Sequence, residues 1–308
     1  KGRTINTDSY IASFSNTGKH TVLSTQFDKI EMMNYLENNQ NKQNETLGLL
    51  KERSLIVNKI KEELKKKMKV TKKPRFVGAK DEGDLDSRNL WKIPARRGSD
   101  VFEQNNPKFI NNVAASILID ISGSLNNDNT KEGKEIKFIA GALSEALQNC
   151  FVNHEVLGYH APYSDELAEM KTDASYNRRN HYLETVVFKN FKQKDNAGID
   201  NLELQSSDNS DGESLRIATK RLLQQRAKNR VLFMITDAKP FLTGSNVLKL
   251  DKDLYEALQE AKRKKIKVIG IGFNSDKTGI FGKNFLHIKN NSYEELITDI
   301  KNLDFFNI

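Results

Sequence analysis

The 308-residue sequence has a single cysteine, few histidines and no long apolar run. Cys150 has no partner for an internal disulfide and lies in an apolar helical pattern, so we predict a core residue rather than a reactive thiol. No run of about 18 apolar residues occurs, which excludes a hydrophobic transmembrane helix. The opening residues contain no signal-like apolar stretch, and we therefore expect a cytoplasmic protein.

Several sequence motifs of catalysis are also missing. No Gly-x-x-x-x-Gly-Lys-Ser/Thr segment occurs, so the chain is not expected to bind ATP through a P-loop. The five histidines are dispersed, which argues against a histidine-rich transition-metal site. No pairing of a nucleophile with a base stands out. We therefore predict no catalytic residues and no catalytic site of the chain's own.

Positive charge exceeds negative charge, with a formal net charge of +8. Two basic runs, at residues 61–73 and 262–267, fall on predicted helices or their ends, where a solvated helix face is the ordinary explanation. A nucleic-acid-associated protein that uses these two runs is kept as an alternative. The abundance of lysine, asparagine and isoleucine is typical of an AT-rich genome, such as that of a phage or a low-GC bacterium.

From residue 113 onward, apolar strands alternate with amphipathic helices. This pattern predicts an α/β fold with a doubly wound, mostly parallel, Rossmann-like sheet. We predict strands at 113–120, 154–160, 184–189, 231–237, 267–273 and 285–288, and helices at 132–151, 214–228, 251–265 and 292–303.

The sequence before residue 111 predicts a smaller, N-terminal helical module with loops. Residues 44–69 carry an apolar stripe at helical spacing and predict one long amphipathic helix. Residues 21–27 alternate like a short strand, 28–40 look helical, and the glycines and aspartates of 75–91 predict loops or a hairpin. The predicted domains are therefore 1–110 and 111–308.

A turn rich in oxygen ligands follows the strand at 113–120. Asp120, Ser122 and Ser124 alternate there, so their side chains can share one side. Asp211 precedes a predicted helix and Asp237 ends a predicted strand, and a doubly wound sheet brings such positions together. Oxygen ligands suit a hard cation, Mg²⁺ or else Mn²⁺ or Ca²⁺. Taken singly, Asp211 is also typical of a helix cap, and Asp237 of a turn.

These motifs resemble the metal-ion-dependent adhesion site (MIDAS) of von Willebrand factor A (vWA) domains, and more closely the cobaltochelatase T subunit (CobT) family. The similar segments are 20–28, the long helix at 44–69, 82–90, 111–113, 118–124, 209–215, 234–240 and 269–273. Two positions depart from the generic vWA pattern. Asp211 stands where a threonine is usual, and Ala238 where a glycine commonly follows the strand-terminal aspartate. The extra carboxylate favours tight retention of a cation over capture of an incoming carboxylate.

The resemblance implies a non-ATPase adaptor of an AAA+ ATPase of the CobS or MoxR kind, with a macromolecular client and a ring-like oligomer. Its Mg²⁺ site would bind partners during cobalt insertion or client remodelling. A vWA module for protein assembly that works without an ATPase, encoded by a phage for example, is the first alternative. The nucleic-acid-associated protein is the second.

Overall fold

The computed structural model describes most of the sequence. The described residues are 27–32, 45–68, 71–73, 76–80, 82–94, 101–105, 108–110, 112–123, 131–169, 181–194, 196, 198–199, 202–236, 240–243, 246–273, 276–288, 293–303 and 305.

A seven-stranded sheet forms the centre of the larger part of the chain. Its strands are β1 (Lys29–Met32), β7 (Val113–Asp120), β8 (Asn153–His160), β9 (Glu184–Lys189), β10 (Asn229–Thr236), β11 (Ile266–Gly272) and β12 (Phe285–His287). Their order across the sheet is β1-β9-β8-β7-β10-β11-β12. All neighbouring pairs are parallel except β8 and β9. The predicted α/β fold with a mostly parallel sheet is confirmed.

The central strands are apolar almost throughout because helices cover the sheet. All eight residues of β7 and all seven of β11 are buried, as expected for parallel strands covered on both faces. The helices of this part are α1 (Glu45–Glu52), α2 (Ser54–Met68), α3 (Lys131–Asn149), α4 (Asp165–Glu169), α5 (Asp211–Leu223), α6 (Val247–Arg263), α7 (Thr278–Phe281) and α8 (Tyr293–Asn302). Cys150, just after α3, is buried, and burial raises the pKa of its thiol to about 11, which agrees with a core role.

Two local predictions were wrong. The single helix expected at 44–69 is interrupted at Arg53, which separates α1 from α2. There the Arg53 guanidinium donates hydrogen bonds to the buried carboxylate of Glu135 at 2.7 and 3.0 Å and to the Tyr293 hydroxyl at 2.8 Å. The side chain thus ties the break between the helices to α3 and α8.

The helix expected at 28–40 is also wrong over its described part. Residues Lys29–Met32 form strand β1, which pairs in parallel with β9 at the edge of the sheet. The chain is held there by the Lys29 amide, which donates to the Leu183 carbonyl at 2.8 Å, and by Asp28 Oδ1, which accepts from the Leu183 amide at 2.8 Å. Residues 33–40, and all but the last residue of the strand predicted at 21–27, lie outside the described residues.

The chain divides into two compact units, and the division differs from the predicted one. One unit comprises Lys1–Lys67 and Asn112–Ile308, and the other Met68–Asn111. The segment before residue 68 belongs with the large sheet because β1 is one of its strands and Arg53 binds α3 and α8.

The smaller unit is built from short antiparallel strands. They are β2 (Thr71–Lys73), β3 (Phe76–Lys80), β4 (Asp84–Leu85), β5 (Phe102–Asn105) and β6 (Lys108–Ile110), with β2 paired to β6 and a second sheet in the order β3-β5-β4. Buried Asp86 accepts hydrogen bonds from Arg88 and Asn89, and the bond from Arg88 lowers the pKa of this carboxyl. The loops or hairpin predicted at 75–91 therefore include strands of a small sheet.

None of the described helices combines the length and the apolar character that crossing a membrane requires.

Candidate metal centre

Asp120 is the last residue of β7, and its side chain is completely buried. Its Oδ1 accepts a hydrogen bond from the Ser122 amide at 3.0 Å, so the carboxylate itself shapes the turn that follows the strand. Its Oδ2 accepts from Asn209 Nδ2 at 2.7 Å, and Thr236 Oγ1, at the end of the neighbouring strand β10, lies 3.4 Å away. Ser122 is buried beside it. The strand end therefore places a carboxylate and a hydroxyl together.

Asp211 brings a second buried carboxylate to the same place. Its Oδ1 accepts a hydrogen bond from the Tyr159 hydroxyl at 2.7 Å, and Asn209 Nδ2 lies 3.4 Å from the same oxygen. Burial first, and then the charges of Asp211 and Asp120, raise the pKa of Tyr159 well above its ordinary value. The phenol therefore keeps its proton and acts as a donor to Asp211.

The simpler explanation of Asp211 as a helix cap does not match the geometry. The N-cap of α5 is Ser210, and Asp211 is the first helical residue. The Ser210 hydroxyl donates to Glu213 Oε1 at 3.1 Å, so Glu213 is engaged within the first turn. A carboxylate in this turn is also favoured by the helix dipole.

Asn209, like Tyr159, belongs to this site but was not predicted as a site residue from the sequence. The side-chain nitrogen Nδ2 of Asn209 faces both carboxylates. Its side-chain oxygen Oδ1 accepts a hydrogen bond from the Phe241 backbone amide at 2.6 Å, and its backbone amide donates to the Phe241 carbonyl at 2.8 Å. Asn209 thus connects the Asp120 and Asp211 carboxylates to the exposed Phe241. Asn209 lies in the segment 209–215 that resembles the family, but its position two residues before Asp211 does not distinguish it from an ordinary loop asparagine.

Two of the five predicted ligands, Ser124 and Asp237, lie outside the described residues. Those that are described, Asp120, Ser122 and Asp211, are brought together. Within the described part of the chain, no three or more His, Cys, Asp or Glu residues are grouped so as to hold a metal ion. The donors present are carboxylate and hydroxyl oxygens at the carboxyl end of a parallel strand. This set fits a hard cation such as Mg²⁺ better than a thiolate- or imidazole-binding metal.

An open cavity of about 440 Å³ lies beside these residues. It is lined by Ser122, Gly123, Ser206, Ser207, Asp208, Asn209 and Phe241. Glycine suits position 123, where the turn meets the opposite loop, because a Cβ there would lie in tight contact, 3.0 Å from the Ser206 Cα and the Ser207 nitrogen. The Gly123 amide donates to the Ser207 carbonyl at 2.8 Å. The cavity thus extends from the surface to Ser122.

Two histidines hold the loop that lines this cavity. His160 Nδ1 lies 2.8 Å from Ser207 Oγ, and burial lowers the pKa of His160 to about 4. His181 Nε2 lies 2.9 Å from Asp208 Oδ2. Although burial opposes the effect, the hydrogen bonds from His181 and from Thr243 lower the pKa of Asp208. Both histidines thus contact residues of this loop.

Solved structures that resemble the chain include vWA-type domains of low sequence identity. The vWF domain of the type V pili tip protein Mfa5 from Porphyromonas gingivalis is 10% identical, with a TM-score of 0.43, and the match covers 62% of this chain and 93% of that one. Proximal thread matrix protein 1 from the mussel byssus, in a structure with a zinc-occupied MIDAS motif, is 15% identical with a TM-score of 0.40. That match covers 62% of this chain and 47% of the other.

Sequence comparison gives a more specific assignment. The uncharacterized protein YojO of Bacillus subtilis (strain 168) is 24% identical over 192 residues, which are 61% of this chain and 28% of YojO. The chain therefore spans less than a third of that relative's length. The family described as "Cobalamin biosynthesis protein CobT VWA domain" matches residues 101–303, or 203 of the 308 residues. Because this match covers about two thirds of the sequence, the chain belongs to the family of CobT vWA domains.

Proposed function

We propose that the chain is a non-ATPase adaptor that binds its protein partners through a divalent cation. In this proposal Asp120, Ser122, Ser124, Asp211 and Asp237 hold the ion, with Mg²⁺ as the first choice. The observation that carries the proposal is the approach of two buried carboxylates, from Asp120 and Asp211, to the single amide nitrogen of Asn209. Two buried anions placed together are costly unless a cation or donors compensate them.

Each described residue has a distinct role at the site. Asp120 and Asp211 supply negative charge, and Ser122 supplies a neutral oxygen next to the open cavity. Tyr159 and Asn209 donate hydrogen bonds that orient the carboxylates and so act as the supporting groups that metal sites need. When bound, the cation would offer a coordination position to a carboxylate of the partner.

Membership of the CobT vWA family supports an AAA+ ATPase of the CobS or MoxR kind as the partner. The chain would pass ATP-driven motion to a macromolecular client, in cobalt insertion or in the remodelling of another client. The cavity beside Ser122, with the exposed Phe241 at its rim, supplies a surface on which such a partner can dock.

Calorimetric titration with Mg²⁺ tests the metal site. We expect Asp120→Ala and Asp120→Asn to abolish the binding heat, and Ser122→Ala to weaken affinity less, because a hydroxyl contributes less than a carboxylate to a hard cation. Asp251→Asn is the matched control, since Asp251 on α6 is also a buried aspartate but its carboxylate is paired with Lys277 at 2.7 Å. An unchanged titration for Asp120→Ala would refute the site.

A pull-down with a cognate AAA+ ATPase, with Mg²⁺ or with EDTA, tests the docking role. Capture should require Mg²⁺ and should be lost in Asp120→Asn but kept in Asp251→Asn. Capture that persists in EDTA and in Asp120→Asn would show that the ion is not the coupling point. No capture under any condition, together with intact Mg²⁺ binding, would favour an assembly module that works without an ATPase.

A further inference from the structure

Among the described residues, the outer edge of β11 is only partly paired with another strand. Its neighbour β12 pairs with the last three residues, Gly270 to Gly272. The first four residues, 266–269, face no strand on that side among the described residues. A strand edge that is left open in this way is a ready template for pairing with another chain.

The backbone N–H and C=O groups of successive residues in a strand point alternately to its two sides, which shows which groups of β11 face this edge. The Gly272 carbonyl accepts a hydrogen bond from the Ile288 amide at 2.9 Å, so Gly272 directs its backbone groups toward the β12 side. In a parallel sheet every second residue bonds to the same side. Val268 and Ile266, which are both buried, therefore direct their N–H and C=O groups toward the same side, below the end of β12.

A cavity of about 410 Å³ lies against this edge. Its apolar wall includes Val268 of β11, Leu258 of α6, and Ile280 and Phe281 of α7. These side chains also belong to the main hydrophobic core, so the wall is fixed by packing. A strand laid along the edge could bury every second side chain in this cavity.

Three lysines, Lys262, Lys267 and Lys283, also line the cavity. Lys262 and Lys283 are exposed, one at the end of α6 and the other just before β12. The basic run at 262–267 thus contributes to a concave site with an apolar wall. Negative charge on an incoming segment would be complementary to this rim.

We propose that this site, formed by the partly paired edge of β11 and the lysine-lined cavity, binds an extended acidic segment of a partner protein by strand addition. In this proposal the backbone groups of the edge hold the segment in register, and the apolar wall selects alternate side chains. The exposed Lys262 and Lys283 select carboxylates on the other positions. A folded nucleic acid has no backbone amides to pair with a strand edge, which makes the peptide the better match. The site is at the start of β11, whereas the candidate metal centre is at the end of β7. The two sites therefore lie toward opposite ends of the parallel sheet.

A seven-residue fluorescein-labelled peptide of alternating glutamate and valine is the direct probe. We expect saturable binding by fluorescence anisotropy at low salt, weaker binding at high salt, and slower hydrogen exchange of the Val268 and Ile266 amides in the complex. A peptide with proline at its central valine should bind at least about tenfold more weakly, because it lacks one backbone donor. Absence of binding, or equal binding of the proline peptide, would overturn the proposal.

Charge-reversal variants test the role of the lysines. Lys262→Glu combined with Lys283→Glu should weaken peptide binding by about tenfold or more, since two exposed attractions become repulsions. Arg263→Glu combined with Lys264→Glu changes the net charge equally at exposed positions outside the cavity and should have a much smaller effect.

Equal losses in the two double variants would leave only unspecific charge attraction. Binding of a twenty-residue oligothymidylate, but not of the peptide, at this surface would overturn the proposal in favour of nucleic acid. If the lysines serve only to prevent pairing between edges, Lys262→Ala with Lys283→Ala would self-associate while the wild-type protein fails to bind the peptide.

Discussion

Replacing Asn209 by aspartate tests how much the side-chain amide of Asn209 stabilises the buried carboxylates of Asp120 and Asp211. The substitution keeps the shape of the side chain and the oxygen that accepts from Phe241, but it turns the donor nitrogen into an oxygen. That atom lies 2.7 Å from Asp120 Oδ2 and 3.4 Å from Asp211 Oδ1. A hydrogen bond to a charged group contributes about 1.5–3 kcal/mol, and its loss is joined here by repulsion among buried carboxylates. We expect Asn209→Asp to lower the free energy of unfolding by about 3 kcal/mol in EDTA.

Urea unfolding in EDTA and in excess Mg²⁺ is the assay. Under the proposed function, Mg²⁺ should restore part of the lost stability, since an ion at 100 times its Kd stabilises a native state by about 2.7 kcal/mol. Asn246→Asp is the control: Asn246 caps α6 by accepting from the Leu248 amide at 2.8 Å, and aspartate caps equally well. A loss below about 1 kcal/mol for Asn209→Asp, or one equal to that of the control, would refute the reasoning.

Three further substitutions have expected outcomes in urea unfolding. Burial above all lowers the pKa of His154 from 6.5 to about 4. Between these two pH values the unfolded chain binds a proton that the native protein does not. The free energy of unfolding therefore decreases as the pH falls from 6.5 toward 4. At pH 5 this decrease is about 2 kcal/mol. Between pH 7.5 and pH 5, the free energy of unfolding of His154→Gln should therefore fall by about 2 kcal/mol less than that of the wild type. Glu135→Gln removes the charge that Arg53 binds and should cost about 1–3 kcal/mol, with faster hydrogen exchange in α1. Gly212→Ala places a Cβ 2.8 Å from the backbone carbonyl carbon of Asp253 and should lower the free energy of unfolding by about 1–3 kcal/mol. An unchanged free energy of unfolding for Glu135→Gln or for Gly212→Ala would contradict the contacts described.

The central strands of the sheet were predictable because their burial favours apolar residues at almost every position. Strands β7 and β11 are buried at every position, so they read as continuous apolar runs. Strand β1 could not be found in this way, since all four of its residues are exposed at the sheet edge. Its pairing with β9 depends on residues more than 150 positions away in the sequence. The local spacing of apolar residues does not indicate such a contact.

The interruption between α1 and α2 shows the same limit. Helical spacing continues through residue 53, so the sequence predicts one helix. What distinguishes Arg53 is its contact with Glu135 and Tyr293, which are 82 and 240 residues away. Non-local hydrogen bonds of this kind override a local preference, because helix propensity is a weak influence beside tertiary contacts.

The same distinction between local and distant partners explains what could be predicted of the metal centre. The position of Asp120 at a strand end follows from the local apolar run, whereas Asn209 and Tyr159 become relevant only through contacts that span 89 and 52 residues. Those contacts also bear on the departure from the generic vWA pattern at position 211. A carboxylate there adds charge to a buried site, and both Tyr159 and Asn209 direct donors at the same Asp211 oxygen. Donors supplied by the protein reduce the electrostatic cost of the second carboxylate. The additional charge at position 211 is therefore compatible with a stable fold.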